Sequence, residues 1–251
     1  MVIGKMQINI VPFYPLRVLP SEDYFKGDAV WKVENTSIEL LNIFKYDIQC
    51  HGMTKEMIAF YIKLLWYKGY KELIPHTSFG KYPPWGFPMP LFFVLKPLLA
   101  QFDRIRTTSP YEYEYYQKRG LKQAYCKPLY VHKEYFEKLG LARRGTGVFC
   151  MGADRPVKNI KTIIKACSLA KRKLTILDDV EPGSKEYIQA FIDNDTFVNS
   201  SYQEGFSLST AEAKASGMKL CLSNLPTLRS LYNALWHEPD DYKQLARNLC
   251  V

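Results

Sequence analysis

The chain reads as an α/β protein made of two successive parallel sheets with helices on both faces. Three observations predict this. Short apolar runs of strand length alternate with segments of helical periodicity along nearly the whole chain. Strands separated by helical segments pair in parallel, because a parallel connection needs a crossover. The alternation is interrupted once, by the polar, glycine-containing stretch His132 to Gly147 (HKEYFEKLGLARRGTG). That stretch divides the chain into residues 1–140 and 141–251.

In the first half, Met6 to Val11 (MQINIV) is a buried strand leading into Pro12-Phe13-Tyr14-Pro15. Ser37 to Lys45 reads as a helix, and Tyr46 to Cys50 as a short strand ending at His51-Gly52. Thr54 to Tyr67 (TKEMIAFYIKLLWY) has helical periodicity with lysines on the polar side and Thr54 as cap. Core packing accounts for its aromatics; a basic amphipathic helix on an anionic membrane is the minority reading. Lys71 to Pro75 is a strand delivering His76-Thr77-Ser78. The loop Gly80 to Pro90 (GKYPPWGFPMP) suits a ligand wall or lid, and equally a surface crossing. Met89 to Phe102 is helical in its later part. Arg104 to Thr108 is a strand, Ser109-Pro110 opens a helix reaching Arg119, and Lys122 to Leu129 is a further strand.

The second half repeats the pattern. Val148 to Met151, Lys173 to Leu177, Thr196 to Asn199 and Met218 to Ser223 read as strands. Asn159 to Ala170, Ser184 to Ile192 and Ser209 to Ser216 read as helices, and two more helices close the chain.

Composition bounds the function. With 251 residues and 47% of them hydrophobic, the chain buries a sizeable core. The formal charge of +9 favours an anionic partner: a nucleotide, an acidic membrane surface or nucleic acid. None of the six cysteines forms a C-x-x-C pair, and most lie in apolar runs, so buried reduced thiols are expected. No signal peptide precedes the first strand, and Met89 to Phe102 is too short and too interrupted by prolines to span a bilayer. A cytoplasmic protein is expected, with peripheral membrane association as the minority reading. There is no metal-ligand spacing, no G-x-x-x-x-G-K-[ST] and no G-x-G-x-x-G. No metal and no cofactor are expected.

The most informative stretch is Ser200 to Gly217 (SSYQEGFSLSTAEAKASG). Two carboxylates, Glu204 and Glu212, flank the turn Gly205-Phe206-Ser207-Leu208, which feeds the start of a short helix. Such a start presents unpaired N–H groups and a partial positive charge, and so favours a phosphate. Local roles also account for both acids: Ser209-x-x-Glu212 reads as a capping box and Glu204 as an exposed loop acid. After the first strand of the second half, GADRPVK places Arg155 and Lys158 where they can meet a diphosphate or simply face solvent. Of the four histidines, His76 and His51 stand at strand ends, while His132 and His237 read as surface residues.

The string EGFSLSTAEAKASG resembles the E-x7-E signature of retaining glycosyltransferases with the GT-B fold, with Ser207 at a position where that group has glycine. VFCMGADRPVKNIKTIIKA is similar to the same group's strand-G-x-x-x-P-x-K-N segment, and PHTS to its F-H-T-S stretch. The resemblance implies two Rossmann-like domains facing a cleft, with a short N-terminal domain and a truncated C-terminus. It implies transfer of a sugar from a nucleoside-diphosphate sugar, without a metal, to a glycan, lipid or protein acceptor. Glu212 would hold the ribose hydroxyls and Glu204 the sugar hydroxyls. Arg155, Lys158 and the amides of Gly205, Phe206, Ser207 and Leu208 would bind the diphosphate. His76 would position the reacting groups and His51 the acceptor. Prolines and aromatics stand where the group has a glycine-rich loop after the first strand. Two other readings stay open: a catalytically degenerate sugar-nucleotide or carbohydrate-binding protein, and a basic nucleic-acid-binding protein. The basic residues are spread rather than clustered, so no nucleic acid is expected.

Overall fold

The structure, a computed structural model, describes residues 7–11, 29–32, 37, 39, 47–51, 55–75, 89–152, 155–178, 180–181 and 183–251. It contains two parallel sheets. The first comprises β1 (Gln7–Val11), β2 (Ala29–Lys32) and β3 (Asp47–His51). It continues through α1 (Lys55–Lys63), β4 (Lys71–Ile74), α2 (Met89–Ala100), β5 (Arg104–Thr107), α3 (Pro110–Lys118) and β6 (Ala124–Cys126). Its strand order is β2-β1-β3-β4-β5-β6. Buried Met57, Phe60, Tyr61, Phe92, Leu95, Leu99 and Tyr116 from α1, α2 and α3 form one core with Ile48, Leu73 and Ile105 of the strands.

The second sheet follows α4 (Lys133–Leu141). It is built from β7 (Gly147–Met151), α5 (Ile160–Ala170), β8 (Leu174–Leu177), α6 (Lys185–Asp193) and β9 (Asn194–Asn199). Then come α7 (Leu208–Ala215), β10 (Lys219–Ser223), α8 (Pro226–Arg229), β11 (Leu235–His237) and α9 (Tyr242–Leu249). The order is β11-β10-β9-β7-β8. Alternation along each strand serves two cores, as a sheet covered on both faces requires. Phe149, Phe197, Leu220 and Leu222 meet Phe136, Phe191 and Ala213 on one side. Val148, Cys150, Val198 and Cys221 meet Ile163, Cys167, Leu245 and Leu249 on the other.

Several expectations are corrected. The strands β2 and β11 and the helix α4 are additional to the sequence reading. The stretch read as a polar boundary holds α4, whose Phe136 packs into the second core. The strand expected over Lys122 to Leu129 shortens to Ala124–Cys126. The expected helix at Ser37 to Lys45 apart from Ser37 and the helical Glu39, the Thr54 cap, the Pro12–Pro15 turn and all of the loop but Met89 and Pro90 lie outside the described residues. All six cysteines are free, four of them buried. Burial pushes the Cys150 and Cys221 thiols up to about 12, which keeps them unreactive.

Glycine sets a close approach between the loop before β7 and the end of α6. A β-carbon on Gly145 falls 1.9 Å from the Asp193 carbonyl oxygen, which is backbone and cannot turn aside. Gly145→Ala is expected to lower stability by about 3 kcal/mol. A fall in the urea midpoint measures this; an unchanged midpoint contradicts the packing.

Candidate functional site

Strand order locates the site. The chain leaves β7 toward β8 on one side, then returns to place β9 on the other side. The gap between the carboxyl ends of β7 and β9 is therefore a topological switch point, where ligands bind in open parallel sheets. The turn carrying Lys158 follows β7, and the loop carrying Glu204 follows β9. There the two residues meet: Lys158 Nζ donates to Glu204 Oε1. Tyr202 N also donates to the Val157 carbonyl at 2.9 Å, tying loop to turn through the backbone.

Local conformation makes this meeting possible. Gly152 adopts φ +87°, and a β-carbon there would lie 3.3 Å from Lys158 Cγ, so glycine lets the lysine stem pass. Asn159 takes a left-handed conformation and donates to the Pro239 carbonyl at 2.7 Å, which anchors the far end of the turn.

Glu204 is held from several sides. Asn199 Nδ2 donates to its Oε1 at 3.1 Å and Ser201 Oγ at 2.9 Å. Thr227 Oγ1 donates to its backbone carbonyl at 2.6 Å. All three side-chain donors to the carboxylate converge on Oε1, leaving Oε2 without a hydrogen bond among the described residues. The backbone N–H groups of Gly205, Phe206 and Ser207 likewise have no acceptor among the described residues. These amides stand at the head of α7, where a partial positive charge gathers.

The start of α7 differs from expectation. The N-cap is Ser207, at φ +59°, and no capping box joins Ser209 to Glu212. Ser207 Oγ instead pairs with Thr210 Oγ1 at 2.7 Å and accepts from Asn199 Nδ2 at 3.2 Å. A left-handed non-glycine residue costs roughly 1 kcal/mol, and these two bonds offset it. The helix ends as expected. Gly217 takes φ +72°, its N–H reaches Lys214 and that of Met218 reaches Ala213, a Schellman arrangement. Arg143 adds two donors, to the carbonyls of Ser216 and Gly217.

Glu212 is 2% exposed and accepts from the Tyr187 hydroxyl at 2.7 Å. Burial pushes its carboxyl up to about 7, and the Tyr187 bond partly counters that rise. Tyr232 lies within electrostatic reach of both acids. Its hydroxyl donates to the Phe206 carbonyl at 2.8 Å, and burial first, then the charges of Glu204 and Glu212, push its phenol up. Both acids therefore share one neighbourhood around the turn.

Of the remaining expected residues, Arg155 is exposed, without an ion-pair partner among the described residues. His51 ends β3, with only its backbone described, and His76 lies outside the described residues. His237 is corrected: it is fully buried, its Nε2 lies 2.7 Å from Ser200 Oγ, and burial lowers it to about 4. Sequence reasoning missed Asn199, Ser201, Thr227, Tyr187 and Tyr232. The polar run Asn199-Ser200-Ser201 at a strand end was the available signal for the first two. Among the described residues, no group of three His, Cys, Asp or Glu side chains gathers as a metal site.

No sequence-family description matches the chain, and no curated protein matches it by sequence. Solved structures do match in fold. A sucrose-phosphate synthase from Thermosynechococcus elongatus superposes with TM-score 0.64 at 17% identity, over 84% of this chain and 65% of that one. An E. coli structure described as trehalose-6-phosphate bound with UDP-2-fluoro glucose gives 0.62 at 12% identity, over 84% and 67%. A point mutant of S. aureus TarM, in complex with fondaparinux, alpha-GlcNAc-glycerol and UDP, gives 0.62 at 11%, over 85% and 50%. The fold is GT-B: two parallel-sheet α/β halves of the kind seen in these glycosyltransferases. The chain spans 65% of the length of the sucrose-phosphate synthase.

Proposed function

We propose that this chain is a GT-B glycosyltransferase acting from a nucleoside-diphosphate sugar with retention at the anomeric carbon, its two units being residues 1–140 and 141–251. The observation that carries the reading is the Lys158–Glu204 pair at the switch point, beside three uncommitted amides at the head of α7. A diphosphate is the anion that suits one ammonium and a row of N–H donors. Lys158, Arg155 and the amides around Phe206 and Ser207 hold it, with Leu208 beginning the helix. Glu204 Oε2 accepts from the donor sugar and Glu212 from the ribose. UDP in two of the superposed structures supports this class of donor.

In the reaction, an acceptor hydroxyl oxygen bonds to the anomeric carbon as the bond to the diphosphate oxygen breaks. The departing phosphate oxygen takes the acceptor proton, on the same face of the sugar. Lys158 and the α7 amides stabilise the charge that develops on the diphosphate. No base beyond the leaving group is required, and His76 and His51 stand on the acceptor side as positioning groups. The acceptor is a glycan, lipid or protein, an anionic membrane surface is part of the reading, and nucleic acid is not. Binding without transfer is the second reading, favoured by the mutual occupation of Lys158 and Glu204.

A thermal-shift panel of UDP, GDP and ADP sugars is expected to single out one base, with NMR of the incubated donor showing diphosphate release and an unchanged anomeric configuration. Stabilisation without release selects the binding-only reading; no stabilisation by any donor overturns both.

A further inference from the structure

The outer surface of the first half carries a patch that the donor site does not use. The helices α1 and α2 lie side by side on one face of the first sheet, joined where Gln101 Nε2 donates to the Tyr61 carbonyl at 2.8 Å. Their inner faces fill the core, yet large apolar side chains also stand on their outer faces. At the end of α1 and the turn after it, Ile62, Leu65 and Trp66 share one side at helical spacing, with Leu65 52% and Trp66 66% exposed. On α2, Phe93 is 67% and Val94 70% exposed, and Pro97 and Ala100, also exposed, continue the same side at helical spacing. A surface helix normally turns charged residues outward. Several large apolar side chains exposed on neighbouring helices mark a contact surface.

Charge decides what covers it. Exposed Lys63 and Lys68 flank the α1 ridge, with the Glu39 carboxylate within electrostatic reach of Lys63, α2 contains no acid, and the chain carries +9 overall. A second copy of this chain would bring the same positive charge to the contact. An anionic bilayer supplies both an apolar interior and negative headgroups. Trp66 and Tyr70 are side chains that settle at that boundary. We infer that the Ile62–Trp66 ridge of α1 and the Phe93–Ala100 face of α2 form a peripheral docking surface for anionic lipid bilayers. This deepens the membrane contact of the proposed function and rests on that reading only for its purpose.

The test is flotation of the full chain with vesicles of phosphatidylcholine alone or mixed with phosphatidylglycerol, without donor or acceptor. Binding is expected only with the anionic mixture, falling as salt rises. Leu65→Ser combined with Phe93→Ser is expected to weaken partition by about tenfold or more, and Lys63→Gln by about fivefold. A blue shift of tryptophan emission on vesicle addition is expected to vanish in Trp66→Phe. These side chains are exposed, so the melting temperature of each variant should match the parent, and Lys63→Gln serves where an apolar variant misfolds. Absence of vesicle binding overturns the inference. So does binding that these variants leave unchanged, or a dimer in sedimentation that Leu65→Ser dissolves. Vesicle binding by a chain that ignores every nucleotide sugar would refute the transferase reading and leave this surface standing.

Discussion

Glu204→Gln is expected to lower sugar transfer by about 100-fold or more while tightening binding of the bare nucleoside diphosphate by about fivefold. The two effects have opposite signs for one reason. In the ligand-free chain Lys158 is engaged by Glu204, so a diphosphate must compete with that carboxylate. Both side chains retain some solvent contact, 21% for Lys158 and 10% for Glu204, which keeps the pair at the modest strength of a partly screened bridge. Glutamine keeps the acceptor that Asn199 and Ser201 use but removes the charge, so Lys158 is released to the diphosphate. The sugar loses its anionic acceptor, and with it the contact realised as the bond breaks. Steady-state kinetics and a binding titration on the same preparation read both quantities. Parallel losses in both contradict this account and reduce Glu204 to a structural role.

Donor affinity is expected to fall about tenfold per pH unit below 7, because Glu212 must be ionised to accept from both ribose hydroxyls. Burial is the main cause of its raised value of about 7, with the Tyr187 hydroxyl opposing it. Tyr187→Phe removes the opposing bond, so the acid limb of the affinity profile moves to higher pH. Glu212→Gln flattens the limb at uniformly weak binding. Stability runs the other way. Between the ordinary value of 4.5 and about 7 the folded chain holds a proton that the unfolded chain releases. The contribution of Glu212 to stability is therefore full below 4.5 and is lost as pH rises to about 7. Affinity weakening toward acid while the melting temperature gains from this group is the signature. An affinity constant from about pH 5 to pH 8 contradicts it.

Much of this architecture was legible in the chain. In β7 and β10 the stretches Val148 to Met151 and Leu220 to Leu222 are short and continuously apolar because both faces of the sheet are covered. Ser109, Ser184 and Asp241 cap helices, Ser109 and Ser184 at the starts that the sequence indicates. What escaped did so for identifiable reasons. Helix α4 hides its stripe, Tyr135, Phe136 and Leu139, among charges and contains Gly140, whose missing side chain allows approach to the Ser216 carbonyl. Strand β11 is three residues long, too short to show a period. Ser209-x-x-Glu212 had the spelling of a capping box, but the chain entered the helix earlier through left-handed Ser207, and Tyr187 claimed the acid. The true reciprocal cap is Ser109 with Glu112, where the serine accepts from the Glu112 N–H and donates to its carboxyl. His237 looked like a surface residue because nothing local records that β11 lies beside β10 with Ser200 underneath. Pairings across such separations are set by topology, which local spacing does not carry.

Calorimetric titration of UDP, GDP and ADP into the parent chain and into Lys158→Ala tests the central claim most directly. One diphosphate is expected to bind, with affinity reduced at least about tenfold in the variant. Equal binding by both proteins, or none by the parent, contradicts a diphosphate seat between the carboxyl ends of β7 and β9.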